Sequence, residues 1–231
     1  MPRSINKYKL YLYLFFFIFL SSVFNFQFVK NYQEKFGIKN INIYGLSYNE
    51  KKLVQNELSN FQNENIFKLN KDKVLAKLNK LDFIENVYIN KIMPSSINVE
   101  LSKTLILGKT LKNGELFYIG KNGKFINSSQ FINKIDTPNV FGEFNIEEYF
   151  NLLDVLEMQN LAKEEIKNYY YFKNKRWDLS FSNGKILKLP SKNIEDSIII
   201  YKKLLKNNNL ANTKIIDLRV SNQVILTKID E

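Results

Sequence analysis

Residues 81–101, LDFIENVYINKIMPSSINVEL, contain two runs in which apolar and polar positions alternate, and Pro94 separates them. Before the proline, Val87 and Ile89 share one side, and such a period of two is typical of a β-strand with one buried face. After it the alternation resumes with Ile97, Val99 and Leu101 on one side. Because proline does not continue a central strand, the pattern predicts a hairpin with one buried face.

A strand and two helices are predicted upstream of this hairpin. Residues 40–43 alternate isoleucine with asparagine before a turn at Gly45. Ser47, with Glu50 three residues later, forms the capping-box pattern of a helix start, and Asn70 is suited to cap a second helix. The apolar residues predicted to line the buried sides of these helices are Val54, Leu58, Phe61, Val74, Leu75, Leu78 and Leu81. Residues 37–103 are therefore predicted to form a β-α-α-β-β domain.

Residues 104–231 predict a larger, mainly antiparallel β domain with two helices. Three Asn-Gly pairs mark hairpin turns, at 113–114, 122–123 and 183–184. We interpret DTPNVFGE, residues 136–143, as a loop, and the segments TKIIDLRV and QVILTKI as the last two strands. The apolar stripe of the first helix is predicted to contain Tyr149, Leu152, Leu153, Leu156 and Leu161. Asn193 is predicted to open the second helix, whose stripe is Ile194, Ile198, Tyr201 and Leu205. The fold class is α+β.

The N-terminus predicts a membrane anchor. Residues 1–9 carry basic side chains and no acid, and residues 10–29 carry no charge. As a helix, about twenty residues span about 30 Å, the thickness of the hydrocarbon core. A cleaved signal peptide is the alternative, but SSVFNFQF lacks the small residues of a cleavage site. The basic tail predicts a cytoplasmic N-terminus, with the later domains on the other side of the membrane.

Composition narrows the possible chemistry. The chain has 231 residues and a formal net charge of +11, with no histidine and no cysteine. It therefore has no imidazole base, no thiolate nucleophile and no thiolate metal site. The lysines are spread along the chain and no nucleic-acid motif occurs, so no nucleic-acid partner is expected. The adjacent acids Glu147–Glu148 and Glu164–Glu165 point in different directions on a helix and make no acid/base pair.

At this point the sequence resembles a known family. INIYGLS and residues 65–101 are similar to the POTRA domain of the FtsQ/DivIB bacterial division proteins. The residues that stand at the family's motif positions are Phe83 and Ile84 for a Trp-Val pair, Val87 for a small residue, Lys91 near an arginine, and Pro94 for a proline. The family's glutamate after the last strand is replaced by Ser102. In the second half, RWDLSFSNGKILKLP followed by IDLRV resembles the family signature and is the most specific match.

The resemblance implies a non-enzymatic division scaffold without a cofactor or metal. It implies FtsB- and FtsL-like partners and other divisome components, a position at the septum, an inner-membrane anchor and periplasmic C-terminal domains. It also implies a partner site at the last strand and at an arginine near the tryptophan. The site residues expected from it are Gln223, Val224, Ile225, Leu226, Thr227, Lys228, Ile229 and Arg176. Two alternatives stay open: a POTRA-bearing transport or envelope-assembly adaptor, and a cell-wall enzyme that uses carboxylates.

Overall fold

The structure is a computed structural model that describes residues 7–22, 31–32, 34–131, 134–206 and 212–228. The helices are α1 Lys7–Ser22, α2 Tyr48–Leu58, α3 Lys71–Leu78, α4 Ile146–Met158 and α5 Ile194–Leu205. The strands of a first sheet are β1 Asn40–Tyr44, β2 Ile84–Ile92 and β3 Ser96–Lys103. The strands of a second sheet are β4 Ile106–Lys112, β5 Glu115–Gly120, β6 Phe125–Asn127, β7 Asn139–Phe141, β8 Ile166–Phe172, β9 Arg176–Phe181, β10 Ile186–Lys188, β11 Thr213–Asp217 and β12 Ile225–Lys228.

The first sheet has the strand order β1-β3-β2, in which β3 pairs parallel with β1 and antiparallel with β2. The predicted β-α-α-β-β order is therefore present. Glu50 accepts hydrogen bonds from the Ser47 N–H and hydroxyl at 2.9 and 2.7 Å, which holds the start of α2. Asn70 accepts from the Asp72 N–H at 2.8 Å at the start of α3. The capping box at Ser47 and the cap at Asn70 therefore both form as the sequence predicts.

The core of this sheet lies against α2 and α3. Val99 and Ile97 are fully buried there, and Ile89 is almost fully buried. Val87 is only partly buried, because β2 is an edge strand of the sheet. The opposite face is polar, and there the Asn42 amide donates to the Asn98 Oδ1 at 2.9 Å. The predicted one-sided burial of the hairpin is confirmed.

The second sheet has nine strands in the order β12-β11-β10-β9-β8-β7-β4-β5-β6. Most neighbouring pairs are antiparallel, as predicted, but β4–β7, β7–β8 and β10–β11 are parallel. Helices α4 and α5 cover one face, where Trp177, Leu179 and Tyr201 belong to one apolar cluster. The other face, from β7 to β12, carries no helix among the described residues. We call it the open face.

Asn193 immediately precedes α5 and opens it, as predicted, although its φ is 54° and its side chain makes no capping bond. Three other sequence predictions about this region are wrong. Residues 139–141, predicted as loop, form β7 between β4 and β8, since their main-chain groups pair with both strands. Leu161 was predicted to belong to the stripe of the first helix, but α4 ends at Met158, and Leu161 packs on the core from the segment after it. Leu205 is exposed, whereas Leu204 packs on the core. The first of these corrections changes the topology, because β7 joins the two ends of the sheet.

The N-terminal helix α1 is sixteen residues long, and its described side chains are exposed. Within the residues that the structure describes, no helix combines the length and the apolar character that crossing a membrane requires. The predicted anchor extends to residue 29, and its residues 23–29 lie outside the described part of the chain.

Candidate partner-binding edge

Strand β12 forms one edge of the nine-stranded sheet. Its only strand partner within the described chain is β11, so its other side is open. All four residues of β12 are exposed, including Ile225 at 48% and Leu226 at 42% of their surface. An exposed strand edge that carries apolar side chains is suited to pairing with another chain.

The direction of the main-chain groups in β11 follows from one hydrogen bond. The N–H of Leu218 donates to the Lys188 carbonyl oxygen of β10 at 2.9 Å. Ile216, two residues earlier, therefore also directs its N–H and C=O toward β10. Since these groups alternate between the two neighbours along a strand, Ile215 and Asp217 direct theirs toward β12.

The same alternation assigns the groups of β12. Ile225 lies opposite Asp217 and Thr227 lies opposite Ile215, so both residues bond to β11. Leu226 lies between these two bonded positions, and its N–H and C=O groups point away from the sheet. A strand that adds to this edge would therefore bond to Leu226.

The side chains of β12 divide between the two faces of the sheet. Leu226 is opposite Ile216, whose side chain belongs to the helix-covered core, so Leu226 lies on the helix side. Ile225 is opposite Asp217, which places it on the open face together with Thr227. The edge thus presents an apolar side chain on each face.

Arg176 lies on β9, three strands from β12, and faces the open side. Its guanidinium sits 4.5 Å from the centre of the Phe172 ring, which is its cross-strand neighbour. The Arg176 Nε is buried and has no hydrogen-bond partner within the described residues. Neighbouring strands are about 4.8 Å apart, so Arg176 is about 14 Å from β12. One partner can reach both positions only if it crosses the open face.

Charged residues fill the open face between Arg176 and the edge. Asp178, Lys188 and Asp217 occupy one cross-strand row. The Arg219 Nε donates to the Asp217 carboxylate oxygens at 2.8 and 2.9 Å. These bonds lower the pKa of Asp217, although burial raises it in part. Asp217 is therefore a satisfied anion at neutral pH.

Asp178 differs from Asp217. It is buried, and its Oδ1 has no hydrogen-bond partner in the described part of the chain. Burial raises the pKa of Asp178, while the charges of Arg176, Lys188 and Arg219 lower it by a smaller amount. The alternation in RWDLSF places Arg176 and Asp178 on one face and was the available sequence signal for this pair, which the sequence prediction missed.

A pair of aromatic rings also faces the open side and was missed by the sequence analysis. The rings of Phe141 and Tyr170 stack with centroids 5.1 Å apart, and both side chains are partly exposed. No sequence signal could have found this pair, because it depends on the insertion of β7 beside β8. With Phe172, these rings form an apolar strip next to the charged row.

The structure places the predicted site residues in three groups. Ile225, Leu226, Thr227 and Lys228 form β12. Gln223 and Val224 were predicted to belong to this strand, but they precede it, and the Gln223 N–H instead donates to the Val220 carbonyl in a turn. Ile229 lies outside the described residues. Arg176 is on the open face and not at the edge. Among the described residues, no group of carboxylates is arranged to hold a metal ion.

Comparison with known proteins places the chain among division proteins. Residues 36–103 match the family described as POTRA domain, FtsQ-type, and residues 110–219 match the family described as Cell division protein FtsQ/DivIB, C-terminal. Cell division protein FtsQ of Rickettsia bellii (strain RML369-C) is 28% identical over 210 residues, which cover 84% of this chain and 73% of the relative.

A more distant relative has the same name. Cell division protein FtsQ of Zymomonas mobilis subsp. mobilis is 22% identical over 168 residues, which cover 73% of this chain and 53% of the relative. A solved structure of the major extracytoplasmic domain of the division protein DivIB from Geobacillus stearothermophilus, in its trans isomer, is similar with a TM-score of 0.33 and 12% identity. That match covers 48% of this chain and 98% of the DivIB chain.

Proposed function

Because this chain belongs to the FtsQ/DivIB family of bacterial cell division proteins, we propose that it is a non-enzymatic scaffold that binds other division proteins at the septum. The proposed partners are FtsB- and FtsL-like proteins and further divisome components. We also propose the domain limits 37–103 for the POTRA domain and 104–231 for the FtsQ-type β domain.

The observation that carries the proposal is the open edge at β12. Leu226 directs its main-chain donor and acceptor away from the sheet, and unpaired groups of this kind bind a partner strand. The exposed side chains of Ile225 and Leu226 add apolar contact area on the two faces. Main-chain pairing supplies affinity in this mode, and the side chains supply specificity.

Arg176 is proposed as a second contact of the same partner. Its Nε lacks a hydrogen-bond partner among the described residues, and the nearby Asp178 does not bond to it. A carboxylate from a segment that crosses the open face would satisfy this guanidinium, because arginine pairs well with planar carboxylates. Such a partner would combine a strand at β12 with a segment lying over Tyr170 and Phe172.

We propose that residues 10–29 anchor the chain in the inner membrane as a single pass, with residues 1–9 in the cytoplasm and the later domains in the periplasm. The uncharged run and the basic residues before it support this topology. The anchor also gives the chain its contact with the lipid bilayer.

Hydrogen exchange tests the proposed edge directly. The amide proton of Leu226 is expected to exchange rapidly in the free protein and slowly in the presence of a purified FtsB/FtsL-like complex. The amide protons of Ile225 and Thr227 should already be protected in the free protein. Arg176→Ala should weaken the complex, whereas Lys52→Ala, which removes an exposed charge on α2, should not. Unchanged exchange at Leu226 in a formed complex would show that the partner binds elsewhere.

A further inference from the structure

The two sheets are joined by a short link and share a core. β3 ends at Lys103 and β4 begins at Ile106, so two residues connect them. Tyr118 of β5 and Ile126 of β6 are buried in the apolar cluster of the first sheet, not in that of the second. The ring of Phe131, which follows β6, lies 5.4 Å from that of Tyr118 and 6.2 Å from that of Phe83. The second sheet therefore contributes side chains to the core of the first.

A hairpin turn completes this contact. Asn122, in the turn between β5 and β6, donates from its amide nitrogen to the carbonyl oxygens of Asp82 at 2.9 Å and Ile84 at 3.2 Å. Its main-chain N–H donates to the Thr104 Oγ1 at 3.0 Å. The side chain thus satisfies two carbonyl groups at the point where α3 leads into β2.

Lys124 strengthens the same contact. Its Nζ donates to the Asn79 carbonyl oxygen at 3.0 Å, just after the end of α3, and lies 3.4 Å from an Asp82 carboxylate oxygen. We call Asn122 and Lys124 the turn clamp. A rotation of one sheet against the other would break these bonds together and would expose Tyr118 and Ile126.

We propose that the turn clamp makes the two sheets one rigid body, so that the edge at β12 keeps a fixed orientation relative to the N-terminal sheet. A flexible joint would carry few contacts across it, since domains connected by small polar interfaces move against each other by default. Here the link is short, the core is shared and the polar contacts are specific. This inference holds whether or not β12 binds a partner.

The sequence offers a matched control for the clamp. Asn183 occupies the equivalent place in the turn between β9 and β10, and both turns have the pattern Asn-Gly-Lys. The Asn183 Oδ1 accepts from the Lys185 N–H at 3.0 Å, just as the Asn122 Oδ1 accepts from the Lys124 N–H at 3.2 Å. Asn122→Asp and Asn183→Asp both keep this turn bond, but only the first removes amide donors to the other sheet.

The chain has no cysteine, so two introduced cysteines can be labelled without interference. Lys52→Cys on α2 and Lys203→Cys on α5 are exposed positions on the two halves of the molecule. The distance between spin labels there would be measured by pulsed electron resonance on the full chain in detergent. Wild type and Asn183→Asp should give one narrow distribution, and Asn122→Asp should give a broader one.

A broad distribution in the wild type, or an unchanged narrow one in a folded Asn122→Asp variant, would overturn the proposal. Circular dichroism would establish that each variant is folded. If Asn122→Asp does not fold, Lys124→Met replaces it, because that change removes the contacts to Asn79 and Asp82 and leaves Asn122 in place. A narrow distribution for folded Lys124→Met would then count against the clamp.

Discussion

Leu226 lies directly opposite Ile216 in the last antiparallel strand pair, and Ile216 bonds to β10, so Leu226 presents its own N–H to the outside of the sheet. Leu226→Pro removes this outward donor and no bond of the sheet, and proline is tolerated in such edge positions. We expect the variant to fold and to bind a partner strand about tenfold more weakly. The complex would lose one main-chain hydrogen bond, and the bonds next to it would be weakened. Titration calorimetry would measure this.

Thr227→Pro is the informative comparison, since the Thr227 N–H bonds to β11. Proline there breaks the sheet itself, so the last strand should detach and the melting temperature should fall. Thr227→Ser should leave both properties nearly unchanged. If folded Leu226→Pro binds as tightly as wild type, partner-strand addition at this edge is excluded.

A charged side chain at position 99 should strongly destabilise the fold, because Val99 lies in the core of the first sheet. This side chain is fully buried, so Val99→Asp would bury an unpaired carboxylate and cost several kcal/mol, on the order of the whole stability of a small domain. Asn98→Asp keeps the oxygen that accepts from Asn42 and should change stability by less than about 0.5 kcal/mol. Urea unfolding would measure both. The reverse order of effects would mean that the register of β3 is wrong by one residue.

Glu50 should make stability depend on acid pH. Burial raises the pKa of Glu50. The hydrogen bonds from Ser47 and the contact with Lys103 lower it by a larger amount together, so the net pKa lies below the ordinary value of 4.5. A carboxylate with a lowered folded-state pKa stabilises the fold above its unfolded pKa and loses this effect as the pH falls through its folded pKa. Wild type should therefore lose stability below about pH 4.5 relative to Glu50→Gln.

At pH 7 the Glu50→Gln change should cost about 1 kcal/mol, because glutamine keeps the capping pattern but loses the charge. Chemical unfolding at pH 7 and at pH 3 would give the difference for both proteins. An equal loss of stability on acidification in wild type and variant would assign the acid effect to other carboxylates.

Gly45 should not tolerate a side chain. Its φ is +85°, and an added Cβ would lie 1.9 Å from the Leu101 carbonyl oxygen, so Gly45→Ala should cost several kcal/mol. Gly114 has φ of +82° with no atom within 4 Å of the same position, so Gly114→Ala should cost about 1 kcal/mol. Both glycines have a positive φ, so the difference in stability loss between the two variants measures the effect of the contact with Leu101 apart from the backbone strain. Similar thermal melting of the two variants would contradict the close approach of Gly45 to β3.

The proposed topology predicts where the C-terminus lies. A reporter fused after Glu231 should be active only if it is one that folds outside the cytoplasm. N-terminal sequencing of the mature protein should still find residues 1–29. Cleavage near Ser22 would instead identify the segment as a signal peptide and remove the anchor from the proposal.

Local signals in the sequence determined the hairpins and helix starts. The alternation around Pro94, the Asn-Gly turns and the Ser47–Glu50 capping box each depend on residues close in the chain, and each forms as predicted. The resemblance carried by RWDLSFSNGKILKLP identified the family for the same reason, since turn and strand chemistry are encoded locally. The position of β12 as an edge strand agrees with the predicted edge, although its first residue is Ile225 and not Gln223.

Tertiary structure alone decided how these pieces meet. The three residues of β7 are too few to carry a strand pattern, and they form a strand because β4 and β8 offer main-chain partners on both sides. The outward direction of Leu226 depends on a bond between Leu218 and Lys188, thirty residues apart. Asn122 and Asn183 have the same local sequence, yet only Asn122 binds the other sheet. Contacts between distant segments are chosen by the packing of the whole chain, and no local pattern encodes them.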